Sequence, residues 1–200
     1  MLGCLPTKLT VKGKEYEIST DFRNILCIID AYSDPALTDA DKAYICLRRI
    51  FGDSFRQLPT SDYEEAMREI NSFIEGGGIK EEHQSPRVVN WQKDEQLIFP
   101  AINKVAGCEI RLLPYLHWWT FLGYFQNIDA DGVWGYVLSL RQKKAKHKKL
   151  EKHEKEFWNQ NRLLCAIDPP KDIKSAIKRA DSIFDSILAE QIEKGGDRNG

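Results

Sequence analysis

The stretch "LPYLHWWTFLGYF", Leu113 to Phe125, gathers two tryptophans, two tyrosines, two phenylalanines and a histidine. Such a set could build an aromatic ligand groove with His117 as a general base or metal ligand. Either role needs company: a base needs an orienting partner, and a metal needs three or four ligands at fixed spacing. His147 and His153 are six residues apart, and "HEKEF" after His153 has no second histidine for an H-E-x-x-H pair. No serine sits in a G-x-S-x-G elbow, and no pair of carboxylates stands out from the charged surface. "GGGIKEEHQSPR" lacks the G-x-x-x-x-G-K-[ST] spacing of a phosphate loop, and no strand precedes it. No catalytic, metal-ligating or cofactor-binding residue is assigned, and the chain reads as non-enzymatic.

Projected as a helix opening at Pro114, the aromatic stretch has almost no polar face. Tyr115, Trp118, Trp119, Leu122 and Phe125 share one side; His117, Phe121 and Tyr124 share the next. Aromatics at helical spacing are core before they are a site, so a central helix with both tryptophans largely buried is expected. The run "RQKKAKHKKLEKHEK", Arg141 to Lys155, holds eight Lys/Arg and two Glu. Lys143, Lys144, Lys146, Lys148 and Lys149 are the candidate partner-binding residues. Ordinary solvation of the run comes first, docking on an acidic protein surface second and nucleic acid last. Lysine dominates where base readers use Arg, Asn and Gln, and the pI of about 6.4 also weighs against nucleic acid.

The elements around these residues are mostly helical. "TKLTVKGKEYEIST" alternates as a β-hairpin turning at Gly13 and must pack on something to be stable. Ser19 or Thr20 is the expected cap of a helix through "DFRNILCIIDAY". Thr38 with Asp41, and Ser61 with Glu64, have capping-box spacing for the next two. The triple glycine Gly76–Gly78 ends the third, and residues 76–87 suggest a flexible linker. "NWQKDEQLIFPAINKVAG" gives a helix with Trp91, Leu97, Ile98, Ile102 and Val105 on one face and a kink at Pro100. A helix over "GVWGYVLSLRQ" follows, capped by Asn127 or Asp131. Asp168 then caps a last amphipathic helix, and the end frays. The fold expected is mainly α, a bundle of about seven to eight helices with an N-terminal hairpin. Its parts would be 1–75, the linker 76–87, a second helical half 88–168, and 169–200.

The 200 residues are 42% hydrophobic and 30% charged, enough for a sizeable core in a water-soluble chain. Net charge is −1, but residues 1–140 carry −6 and residues 141–200 carry +5. The five cysteines are scattered without C-x-x-C spacing, which fits a reducing compartment, with Cys27, Cys46 and Cys165 as core thiols. No signal peptide and no membrane span is legible.

These residues carry a resemblance. "NWQKDEQLIFPAINKVAGCEIRLLPYLHWWTFLGYFQNI" is similar to the signature segment of the bacteriophage gene-product-fifteen family. An aromatic residue and an aspartate open a helix (Trp91, Asp94), a glycine turn follows (Gly107), then "YLHWWTF", then a helix ending in arginine (Arg141). "LPTKLTVKGKEYEISTDFR" resembles the family's hairpin and its Thr-Asp-Phe-Arg. The likeness covers roughly residues 5–168, and residues 170–200 are longer than the pattern suggests. It implies a tail-morphogenesis protein of long-tailed phages, acting as an assembly chaperone on the tape measure protein, with the major tail protein as a second partner. It further implies a place in the host cytoplasm rather than the mature virion, and carries over no catalytic residue. A nucleic-acid-binding phage protein and a minor virion component are the alternatives.

Overall fold

The computed structural model describes residues 3–77 and 87–167. The chain divides into two compact units, residues 1–136 and 137–200. Among the described residues an antiparallel hairpin is followed along the chain by eight α-helices. The expected mainly α architecture is therefore observed.

Strands β1 (Lys8–Val11) and β2 (Lys14–Glu17) pair Leu9 with Tyr16 and Val11 with Lys14. Lys12 and Gly13 form the two-residue turn, both at positive φ (50° and 77°), as the right-handed twist of a tight hairpin requires. Leu9, Val11 and Tyr16 are buried. The face packs on helices α2 (Asp39–Phe51) and α3 (Tyr63–Ile74): Tyr16 meets Phe51 edge-on, and the Lys12 backbone N–H donates to Glu65 at 2.7 Å.

Capping follows the sequence in one of the first three helices. Thr38 and Asp41 form the expected box at the start of α2. Helix α1 (Phe22–Ser33) is capped by Asp21, not by Ser19 or Thr20; Asp21 accepts from the Arg23 N–H at 2.9 Å. Thr20 is turned instead to the Tyr115 hydroxyl, 2.6 Å away. Ser61 and Glu64 do not box α3, because a 3-10 turn over Thr60–Asp62 delays the helix to Tyr63 and spends Ser61 on Asp62.

Gly76 and Gly77 stop α3 as a paired motif. Gly76 donates to Phe73 O and Gly77 to Ser72 O, at 3.0 and 2.8 Å, with φ of 87° and 72°. The remainder of the expected linker, residues 78–86, lies outside the described residues, as do Asp168 and the expected last helix. Gly77 also lies under Trp119; a Cβ there would come within 2.9 Å of the indole ring. Positive φ and this contact together make Gly77→Ala destabilising by about 1–2 kcal/mol in urea denaturation.

Helix α4 (Trp91–Ala106) continues through Pro100 and ends at Gly107, left-handed at φ 70°. Its buried face is Asp94, Ile98, Phe99 and Ile102; Val105 is exposed and Leu97 half-buried, so the stripe is rotated toward Phe99. Helix α5 is Trp118–Gln126 and α6 is Val133–Ala145, which crosses the division between Tyr136 and Val137. Helices α4 and α5 belong to the first unit together with α1 to α3. The second unit continues with α7 (Lys152–Gln160) and α8 (Arg162–Cys165), and Leu140, Leu150 and Cys165 are buried in it. Cys46 and Cys165 are core thiols as expected, whereas Cys27 is exposed on α1. Burial pushes the Cys46 thiol up to about 11.

Candidate functional site

The aromatic stretch is not the helix that its sequence predicts. Pro114 lies in a bend, and α5 starts only at Trp118. Residues 116–118 pair instead with residues 20–22: Phe22 donates to Leu116 O at 3.0 Å and Trp118 to Thr20 O at 2.7 Å. Backbone groups that a helix would have used are taken by this two-sided bridge. His117 then caps α5, its Nδ1 accepting from the Trp119 N–H at 3.0 Å. Its Nε2 is 2.9 Å from Pro6 O, so the ring is the neutral tautomer with Nε2–H donating. Both nitrogens are occupied and the ring is buried, which leaves no lone pair for a base or a metal.

The two tryptophans close α3. Their Nε1–H groups donate to carbonyls of the last turn of α3, Trp118 to Ile74 O and Trp119 to Phe73 O, each at 2.8 Å, the latter shared with the Gly76 N–H. Trp118 is 1% exposed and stacks on Phe121, which stacks in turn on Phe22. Trp119 is only half-buried, lying over Phe73 and Gly77. The expectation of two buried tryptophans holds for the first alone.

Asp21 ties this junction together. Besides capping α1 it accepts from the Leu116 N–H at 3.2 Å and from the Arg23 guanidinium at 2.9 Å. Arg23 reaches on to Leu113 O at 2.5 Å and Arg111 O at 3.2 Å. The Thr-Asp-Phe-Arg and YLHWW segments, about ninety residues apart, are therefore the two halves of one contact. Helical periodicity does not reveal it; an Asp directly before the helical stripe is the available signal.

Other residues of the pattern also have structural roles. Asp94 is buried and accepts from the Asn90 N–H at 2.9 Å, while Asn90 accepts from Lys93. Arg141 is 2% exposed, its Nε donating to Cys165 O and a terminal nitrogen to Leu164 O, each at 2.9 Å. It clasps the carboxyl end of α8 within the second unit.

Where residues of the first unit's junction reach the surface they line a groove. Phe22, Arg23, Leu26, Cys27 and Asp30 of α1 face Trp91, Gln92, Glu95 and Phe99 of α4, with Arg111 at one end, around about 350 Å³. Its floor is apolar and its rim carries both signs of charge. The guanidiniums lie over ring faces, Arg23 over Phe22 at 4.6 Å and Arg111 over Phe99 at 5.1 Å. Arg111 forks onto Glu109 at 2.8 Å, and this hydrogen bonding holds the Glu109 carboxyl down to about 2. The shape suits the apolar face of a helix with mixed charge beside it.

The five candidate lysines differ in their surroundings. Lys143 is ion-paired with the buried carboxylate of Glu154, a structural role. Lys144 sits 3.9 Å over the Trp158 ring. Lys146, Lys148 and Lys149 are exposed. Hydrogen bonds from Lys143 and from the Glu151 N–H hold the Glu154 carboxyl below its usual range. A lowered carboxylate stabilises the fold above its unfolded pKa, about 4.3. The second unit should therefore keep its full stability above that pH and lose part of it as pH falls through the lower folded value. Circular dichroism of wild type and Glu154→Gln during acid titration checks this: the variant should lack that component.

Among the described residues, no group of three His, Cys, Asp or Glu could hold a metal, and no helix is long and apolar enough to cross a membrane. No curated protein and no solved structure matches the chain. The family described as Bacteriophage Gp15 protein matches residues 3–165, a span holding both halves of the junction, the groove and the Arg141 clasp; the chain belongs to that family.

Proposed function

We propose that this phage protein is a non-enzymatic tail assembly chaperone that binds the tape measure protein, with the major tail protein as a second partner. The observation that carries the reading is the α1–α4 groove, apolar at its floor and charged at both rims. A tape measure is long and helical, and its exposed apolar faces need cover until tail-tube subunits enclose it. A groove of this kind covers one helix face through the half-buried Leu26 and Trp91, with Phe22 and Phe99 beneath them, while leaving the partner releasable. Such a protein would work in the host cytoplasm and leave before the virion matures.

Co-expression tests this. With the chain present, the tape measure protein should become soluble and copurify; Leu26→Asp, on the half-buried groove wall, should fold normally and lose the complex. A tape measure that stays insoluble, or a complex indifferent to Leu26→Asp, would sink the reading. Mass spectrometry of purified virions separates it from a structural role, since a chaperone should be missing from them.

A further inference from the structure

Helix α6 ends in a turn that gathers lysines around an indole. Lys148 donates to Lys143 O at 2.8 Å and His147 to Lys144 O at 3.0 Å, with His147 left-handed at φ 54°. This is the paired stop usually built on glycine, made here with a histidine. It folds the chain back so that Lys144, Lys148 and Lys149 face Lys155 and Trp158 of α7 across a hollow of about 400 Å³ floored by Leu150. Among the described residues, no acidic side chain lines it. Lys148, Lys149 and Lys155 form no ion pair among the described residues. A lysine at a helix end is ordinarily explained by the helix dipole. That accounts for Lys143 and Lys144 in the last turn of α6, but not for Lys148 and Lys149 beyond it or Lys155 on α7.

We propose that this hollow docks an acidic protein segment, with carboxylates on Lys148, Lys149 and Lys155 and one apolar side chain against Leu150 and Trp158. Charge complementarity selects the class of partner, and two details select protein over nucleic acid. Lys144 already covers a face of the Trp158 ring, where a base would have to stack. Leu150, 8% exposed, gives an apolar side chain a floor that a phosphate backbone does not use. The site lies wholly within residues 144–159 of the second unit and stands whether or not the α1–α4 groove takes the tape measure.

Fluorescence anisotropy on the full chain tests it, with a labelled synthetic peptide of Asp and Glu around a single Leu. The peptide should bind saturably, more weakly as salt rises. The triple variant K148Q/K149Q/K155Q should lose about tenfold or more in affinity, while K8Q/K14Q in the hairpin should bind as wild type does. Equal loss in both variants would mean diffuse attraction and overturn the site. Failure to saturate at millimolar peptide would do the same. An oligothymidylate of about ten nucleotides should compete poorly; if it binds wild type more tightly than the peptide, the hollow is a nucleic-acid site and the proposal is wrong.

Discussion

Trp118→Ala should destabilise the chain by about 3–5 kcal/mol, and Trp119→Ala by about 2 kcal/mol. The residues are adjacent and each donates one indole hydrogen bond of 2.8 Å to the end of α3, so burial is the main difference between them, although Phe73 O, which Trp119 reaches, also accepts from the Gly76 N–H. Trp118 is 1% exposed and lies in the stack with Phe121 and Phe22. Removing it opens a cavity among aromatic rings that cannot collapse around an alanine. Trp119 is half-buried, and its loss exposes Phe73 and Gly77 to water rather than leaving a void. Urea denaturation of both variants gives the comparison. Equal costs would mean that capping α3, not filling the core, is what the pair contributes.

The second large effect is at Arg141. Arg141→Ala should cost about 3–5 kcal/mol, because the carbonyls of Leu164 and Cys165 lose donors in a buried setting. Arg141→Lys should recover little of it: a lysine ammonium is a compact point charge and does not reproduce the guanidinium's directed fork. Limited proteolysis should show cuts appearing within residues 137–167 in both variants. Full recovery with lysine would reduce the clasp to a matter of charge.

Much of this fold is legible in the sequence because its signals are local. The hairpin follows from alternation and Gly13; the start of α2 follows from Thr38 and Asp41; the end of α3 follows from its glycines. The Ser61–Glu64 box fails for a local reason too, since a 3-10 turn fits the same residues. The aromatic stretch fails differently. Its residues have helical spacing from Pro114, yet residues 116–118 find a better use for their backbone in the bridge to residues 20–22. A pairing across about ninety residues leaves no periodic mark, so spacing alone extends the helix four residues too far. For the same reason the groove is invisible in the sequence: Leu26 looks like an ordinary stripe residue, and Phe99 lies off the stripe expected of its helix, until α1 and α4 lie side by side. The lysine run is legible as charge only. That Lys143 is held by Glu154 while Lys148 and Lys149 turn toward Trp158 depends on the left-handed His147, which nothing in the spacing announces.

If the groove receives the partner, the aromatic signature is the scaffold beside the binding surface and not the surface itself. Amide hydrogen exchange of the chain, alone and with the tape measure protein bound, tests both halves of that statement together. In the free chain the Phe22 and Trp118 amides, bonded to Leu116 O and Thr20 O, should be among the slowest to exchange and should not change on binding. Added protection should appear in the amides of α1 and α4 along the groove. If the amides of residues 115–118 exchange quickly in the free chain and slow only with the partner, the aromatic stretch is the binding site itself and the scaffold role is wrong.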